Sequence, residues 1–502
     1  MKNLFIFFLL LLFWTPHLNA QRKYESIAQS IGIESIDKFR SFLALPNDAS
    51  KPEDISDNIS WAKSELEALD FEVKTLETSA LPLLLANLTV KKSRPTLAFY
   101  MHLDGQAIDQ SKWDQTNPYT AVLKEKTENG FQPISWDKLR DNGAADYRIF
   151  ARSSADDKGP FVMLLTALSY LKKSKKLPAF NLKLILDFEE EQSSPGLPDA
   201  VKKYKDQLLA DLLLILDGPV HFSGKPTLVF GNRGIAKLTL TSFGPLMPQH
   251  SGHYGNYIPN PALDLAKALA SMKDNQGRVV IPGFYEGIRF DEATKKILKS
   301  VPAEEKAIKE RTQTKRNDLV GNTYQESIQY PSLNIRGMRS GWVGSEARTI
   351  VPATATAELD IRLVVESDPY KLIEGVKTHL NLQGYTIILD HVPSKEERMR
   401  YDRIIQMNTK VAYPAFRTDT ESKGGKWLNT IFTDYYGEQA VIIRTSGGSV
   451  PISPFVSELG VPAIGVPTVN LDNNQHSPNE NLRVGNYLNG IESFLAILTT
   501  KY

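Results

Sequence analysis

Between residues 35 and 71, Ile36, Phe39, Phe42 and Leu43, then Ile59, Trp61, Leu66 and Leu69, recur at three- and four-residue spacings, which predicts helix. Short apolar runs over 81–90 and 96–100, each bounded by proline, predict strands of a sheet covered on both faces. A strongly apolar helix over 161–171 opens with Lys158-Gly159-Pro160. It is followed by a strand over 182–188, a charged helix over 199–209 and a strand over 212–216. Strands and helices alternating at these lengths predict an α/β fold with a doubly wound, mostly parallel sheet.

The pattern changes near Asn232. An alternating strand over 235–241, a helix over 261–272, strands over 332–338 and 354–365, a helix over 370–382 and a strand over 385–389 follow in the order β-α-β-β-α-β. That order is the split arrangement of a ferredoxin-like α+β domain. The segment 281–329 is charged and weakly patterned, an irregular excursion within this insert. After about Lys395 the α/β pattern returns, with strands over 441–443 and 463–466 and a final helix from Asn486. The chain therefore divides into one α/β domain in two parts, 21–231 and 396–502, with a smaller domain inserted over 232–395. Lys172, Lys173, Lys175 and Lys176 end a helix, where cations suit the dipole.

The first twenty residues stand apart. Lys2 precedes an unbroken apolar run over 4–14, then Pro16 and the small residue Ala20, the layout of a cleavable secretory signal peptide. The run is too short to span a bilayer, which needs ~20 residues. No cysteine follows to carry a lipid, so the mature chain is expected in a periplasm or outside the cell, with no stable membrane anchor. Asn58-Ile59-Ser60 and Asn87-Leu88-Thr89 fit the glycosylation acceptor pattern, at a frequency near chance.

Composition narrows the chemistry. The 502 residues are 41% apolar and 23% charged, ordinary for a globular protein with a large core. Lys and Arg (59) nearly cancel Asp and Glu (58), so no bulk field draws the chain to nucleic acid. The absence of cysteine excludes disulfides, thiolate zinc sites, iron–sulfur clusters and a cysteine nucleophile. Any metal must be held by His, Asp and Glu.

Three predicted strands run directly into such residues. The strand over 97–101 leads to His102 and Asp104, that over 182–188 to Glu189, Glu190 and Glu191, and that over 212–216 to Asp217. In open α/β sheets, ligands bind beyond the carboxyl ends of the strands, so these side chains are expected to converge. Asp156-Asp157, directly before a helix, would join the same rim. A single acidic residue at a strand end is usually a turn or cap. Three consecutive glutamates repel one another unless a cation or a raised pKa relieves them.

His102-Leu103-Asp104, Asp156-Asp157-Lys158-Gly159-Pro160, Glu190-Glu191, Asp217, His250-Ser251-Gly252 and His476-Ser477-Pro478-Asn479-Glu480 follow in that order. In order and context they resemble the co-catalytic zinc exopeptidases of the carnosinase, aminoacylase, carboxypeptidase G and succinyl-diaminopimelate desuccinylase superfamily, metallopeptidase family M20, closest to its dipeptidase branch. The resemblance spans essentially the whole mature chain. It implies a catalytic α/β domain interrupted by a ferredoxin-like lid through which the family often forms homodimers.

The resemblance also implies roles. Asp156 would bridge two divalent metal ions, with His102 and Asp217 completing one site and Glu191 and His476 the other. The set suits zinc, with manganese or cobalt as alternatives. Glu190 falls on the general base, with Glu189 one residue away as the alternative. Asp104, on the same side of the strand as His102, would accept the imidazole's second N–H and fix its tautomer. The peptide between Asp156 and Asp157 would be cis. Glu190 would take a proton from the attacking water and return it to the leaving amine. His250, or its rival His253, would donate to the oxyanion from a partner subunit. Gly447, Gly448 and Ser449, with Arg362 and Thr349, would hold the substrate's terminal carboxylate.

Met101, Ser153, Gln192-Ser193-Ser194 and Ser446 depart from the family's usual residues; all bear on pocket shape and none is a ligand. Hydrolysis of dipeptides or short peptides is the first expectation. An N-acyl amino acid deacylase of the same fold is the alternative, and a non-catalytic binding protein the remote one.

Overall fold

The computed structural model describes residues 16–502. The apolar run of the expected signal peptide lies outside the described residues, and the expected cut after Ala20 falls within the helix Pro16–Leu43. The chain forms two compact units. One comprises residues up to 230 with Thr418–Arg444 and Pro454–Tyr502; the other comprises Gly231–Arg417 with Thr445–Ser453.

The first unit is built on an eight-stranded sheet in the order Glu72–Leu76, Leu83–Leu88, Asn181–Asp187, Thr96–His102, Leu212–Ile215, Ala463–Gly465, Thr227–Val229, Val441–Ile443. The four strands from Asn181–Asp187 to Ala463–Gly465 run parallel; Leu83–Leu88 and Thr227–Val229 join them antiparallel on either side, and Val441–Ile443 pairs parallel with Thr227–Val229. The sheet is therefore mixed, with the parallel core that the continuous apolar runs predict. All seven residues of Asn181–Asp187 are buried, which removes the alternation a one-sided strand would show. The helices Pro16–Leu43, Lys158–Lys173 and Val484–Thr499 pack on one another. Phe39, Phe42, Phe161 and Phe494 join Leu97 and Leu184 in one core, and Phe42 stacks on Trp61 with ring centroids 3.9 Å apart.

Lys158 lies wholly inside this core, donating to the carbonyls of Phe42 and Leu45 at 3.0 and 2.7 Å. The charged helix expected over 199–209 breaks at Tyr204 into Leu197–Lys203 and Lys205–Leu208. Asn58 is fully buried and donates to the carbonyls of Pro46 and Asp54, so its acceptor tripeptide is not a surface site. A second sheet, ordered Asn481–Arg483, Arg148–Phe150, Val122–Thr127, Gly130–Pro133, was not expected from the sequence pattern.

The second unit has a five-stranded sheet, ordered Ser332–Arg339, Thr354–Leu363, Gly234–Phe243, Ile404–Tyr413, Thr386–Ile388. The helices Pro261–Ser271 and Pro369–Leu382 contribute Leu265, Ala268, Val376 and Leu380 to its core. This corrects two expectations. The fourth strand of the ferredoxin-like pattern is Ile404–Tyr413, antiparallel to Gly234–Phe243, while Thr386–Ile388 is an added parallel edge strand. The inserted domain therefore does not end at 395; it continues to Arg417 because strand pairing, not helix alternation, sets its limit. Residues Thr445–Ser453 also belong to it, where Ser446 donates its N–H to the Gly231 carbonyl at 2.7 Å. The weakly patterned segment holds three short helices, Glu292–Ser300, Glu305–Thr312 and Tyr324–Ser327.

Candidate metal centre

Strand register brings the chemistry of the first unit together. His102 is the last residue of its strand and pairs with Asp187, while Tyr100 pairs with both Ile185 and Ile215. The three parallel strands therefore end side by side, and the residues just beyond them share one rim. Glu190 and Glu191 occupy a single 3-10 turn, Glu190–Gln192, after Asn181–Asp187. Asp217 follows Leu212–Ile215 by two residues. Asp156 and Asp157, joined by a cis peptide, stand directly before the helix Lys158–Lys173, where the dipole favours negative charge.

Asp156 is the centre of the cluster. Its Oδ1 lies 2.9 Å from His102 Nε2 and its Oδ2 lies 3.1 Å from His476 Nε2. His476 Nε2 is in turn 3.2 Å from Glu191 Oε2. Ligand atoms of His102, Asp156 and Asp217 fall within 4.8 Å of one another, and so do those of Asp156, Glu191 and His476. The donor set of imidazole nitrogens and carboxylate oxygens fits two borderline-to-hard divalent cations sharing Asp156. A buried, unpartnered Oδ1 on Asp217 fits as well, since an acceptor of this kind is costly unless something pairs with it.

Asp104 braces this arrangement. It is fully buried, its Oδ1 lies 3.3 Å from His102 Nδ1, and it accepts the backbone N–H groups of Glu190 and Glu191 at 3.2 and 3.0 Å. One carboxylate thus holds both the first imidazole and the turn that presents the glutamates. Glu189 is engaged elsewhere, its Oε2 accepting the N–H of Leu81 at 3.1 Å.

The electrostatics are those of crowded carboxylates. Burial pushes the Glu190 carboxyl well above its ordinary value, with Asp217, Glu191 and Asp104 adding to the shift and His102 opposing it. Burial, then Asp156, raises Glu191 to about 8, and burial raises Asp217 to about 6. Burial opposes ionisation of Asp156 too, but the hydrogen bonds from His102 and His476 hold it below the carboxylate range. His476 is raised to about 9, chiefly by its hydrogen bond to Asp156.

Supporting residues that motif reading did not single out complete the site. Glu480 is fully buried and accepts four donors: Arg152 Nη1 at 2.7 Å and the N–H groups of Ser153, Ala155 and Asp156 at 2.9, 2.9 and 3.0 Å. Gln475 donates to Asp156 Oδ2 at 3.1 Å and Gln106 to Glu191 Oε2 at 2.7 Å. Glu480 and Gln475 flank His476 in sequence, the one signal that pointed to them.

The remaining expected residues lie in the second unit. Arg362 Nη1 donates to Ser449 Oγ at 2.8 Å, and the Arg233 N–H donates to the Gly448 carbonyl at 3.2 Å. Gln249–His250 pairs antiparallel with Ile350–Val351, and Ser251 donates its N–H to the Thr349 carbonyl at 3.0 Å, so His250 and Thr349 sit at one two-stranded ladder. Both are exposed, and among the described residues no hydrogen bond joins Thr349 to Arg362 or to Gly447, Gly448 and Ser449. The rings of His250 and His253 lie 4.7 Å apart. His379 and His391 hydrogen-bond to Ser271 and Glu397, as ordinary structural histidines do.

This fold and this donor set are those of a metallopeptidase: residues 98–500 match the peptidase family M20/M25/M40, and the chain belongs to it. Among its relatives, the Cys-Gly metallodipeptidase DUG1 of Candida albicans is 26% identical over 494 residues, covering 92% of each chain. The Beta-Ala-His dipeptidase of Mus musculus is 26% identical over 424 residues, 83% of this chain and 79% of its own. The structure is similar to that of the M20 family metallo-carboxypeptidase Sso-CP2 from Sulfolobus solfataricus. The TM-score is 0.76 and the identity 26%, over 93% of this chain and 98% of that one.

Proposed function

We propose that the protein is a dinuclear-metal dipeptidase that hydrolyses the amide bond of dipeptides or short peptides. The observation that carries this is the sharing of Asp156 between two ligand groups, His102 with Asp217 and Glu191 with His476. Two bound cations, zinc foremost, would supply a more acidic water and a polarised amide carbonyl. Glu190 is the base in this reading. Among the described residues its carboxylate accepts no hydrogen bond, while its backbone N–H is pinned by Asp104, so the side chain is free to take a proton from water and return it to the leaving amine. Glu189, held by Leu81, is the poorer choice. Asp104 keeps the His102 ring in one orientation.

Gly447, Gly448 and Ser449 with Arg362 bind the terminal carboxylate, through backbone N–H groups, a hydroxyl and a guanidinium. His250, exposed at the head of a helical turn, donates to the oxyanion of a partner copy in a homodimer formed through the lid. Residues 1–20 direct export to a periplasm or to the outside. The relatives' dipeptide substrates set the test, a panel of Cys-Gly, β-Ala-His and other dipeptides against N-acyl amino acids with added zinc, manganese or cobalt. Metal-dependent cleavage of dipeptides is expected. Cleavage of N-acyl amino acids alone would overturn the dipeptidase reading.

A further inference from the structure

The second unit encloses a cavity of about 350 Å³ walled in part by Arg233, Tyr324, Ile328, Ser332 and Leu333. Its volume is that of a small-ligand pocket. It lies next to the Gly447 loop: a side chain added at Gly447 would meet the Tyr324 hydroxyl at 3.4 Å and Ile328 at 3.8 Å. Whatever the loop holds by its terminal carboxylate therefore has this cavity beside it.

Arg233 is the unusual member of the wall. It is 8% exposed, yet among the described residues no carboxylate lies within ion-pair distance of it. Its Nη2 donates only to neutral oxygens, the Tyr330 carbonyl at 2.7 Å and Ser332 Oγ at 3.1 Å, and its Nε is buried without a partner. The other charges at the cavity are engaged. Lys273 faces Asp318 at 3.4 Å, and Glu305 accepts the Tyr324 N–H at 2.9 Å.

A second guanidinium stands nearby. Ser332 pairs across the sheet with Arg362 and accepts the hydrogen bond from Arg233, so both arginines flank one serine. The carboxylate of Asp360 lies 3.7 Å from Arg362 Nε. Burial, then the charge of Arg362, lowers the Arg233 guanidinium to about 10, the direction expected of an uncompensated buried cation. Arg233, with no ion-pair partner among the described residues, is the cation left short of a counter-charge. A buried charge with no partner is retained at a cost, which an anionic ligand would offset.

Resting on the dipeptidase reading, we propose that this cavity takes the side chain of the substrate's C-terminal residue and that Arg233 selects an acidic one, aspartate or glutamate. The α-carboxylate then sits with Gly447, Gly448, Ser449 and Arg362, and the side-chain carboxylate with Arg233. Two cations meet a leaving residue that carries two carboxylates. A bidentate Arg–carboxylate pair discriminates against the isosteric amide, because the amide leaves the guanidinium unpaired.

The test compares kcat/KM for Ala-Glu and Ala-Gln. The native enzyme is expected to favour Ala-Glu at least tenfold. Arg233→Gln should bring the ratio close to one, and Arg233→Lys should restore part of it. A native ratio near one, or a preference that survives Arg233→Gln, overturns the assignment. Should Arg233→Gln fail to fold, calorimetric binding of L-glutamate and L-glutamine to the native protein reads the same charge: tighter glutamate supports the assignment and equal affinity overturns it. If no dipeptide is cleaved yet glutamate still binds more tightly, the dipeptidase reading fails and the acid-selecting pocket stands.

Discussion

Glu480 accepts the backbone N–H of Asp156 at 3.0 Å, so the residue shared by both ligand groups is held by a carboxylate more than 300 positions along the chain. The same Glu480 pairs with the buried Arg152 and holds Ser153 and Ala155. Asp156 thus owes its place to a loop clamped at four points. Glu480→Gln keeps the shape, but its lone oxygen cannot serve four donors, and it leaves Arg152 buried without its counter-charge. Removing one partner of a buried pair costs about 3–5 kcal/mol, and weakening support behind a ligand costs about 10–100-fold in metal affinity. Metal titration and thermal melts on the variant should show both losses. An unchanged melt with full metal affinity would contradict the clamp.

Asp104→Asn separates support from ligation. The substitution keeps a hydrogen-bonding group beside His102 but halves the acceptor capacity that also serves Glu190 and Glu191. Metal affinity should fall about 10–100-fold, and kcat should fall even at saturating metal because the base-bearing turn loosens. Full kcat at saturating metal would show that Asp104 does not position Glu190.

Chelation should destabilise the whole protein. Without cations, Asp104, Asp156, Glu190, Glu191 and Asp217 crowd one rim, with the imidazoles of His102 and His476 to offset them. Metal bound to the folded state alone adds about 2.7 kcal/mol at a hundredfold excess over Kd. Melting temperature should drop on adding a chelator and rise again with zinc. No shift in either direction would argue against a cation at this site.

Stability should also depend on a carboxyl outside the candidate ligand set. Glu492, in the helix Val484–Thr499, is raised by burial to about 7, with Glu25 adding and the Tyr435 hydroxyl opposing. A carboxyl whose folded pKa exceeds its unfolded value binds more protons when folded. Its penalty is absent below the unfolded pKa and grows as pH rises toward 7, so native stability falls across that window. Glu492→Gln should flatten the fall, seen as a smaller difference between denaturation midpoints at pH 5 and pH 8. Equal differences in the two proteins would show that Glu492 ionises without cost.

The strand-end residues were legible in sequence because each follows an apolar run that only a buried strand explains: His102 after 97–101, Glu190 and Glu191 after 182–188, Asp217 after 212–216. Glu480 ends the motif that begins at His476, but its role depends on a loop closure that no local pattern encodes. The limit of the inserted domain is hidden in sequence for a related reason. Ile404–Tyr413 carries Gln406, Asn408, Thr409 and Lys410 among its apolar residues, so it reads less like a strand than the short, apolar Thr386–Ile388. Its central place comes from pairing with Gly234–Phe243, a contact nearly 170 residues distant. Arg233 carried no sequence signal at all. Its isolation from carboxylates is a property of the folded lid.

In the proposed mechanism Glu190 moves the proton while His102, Asp156, Glu191, Asp217 and His476 hold the metals. Measuring metal content and dipeptide hydrolysis on one preparation of Glu190→Ala separates these two roles most directly. Metal per chain should match the native protein while kcat falls about 10²–10⁴-fold, the usual contribution of a general base. Full activity with the metals in place would contradict the account.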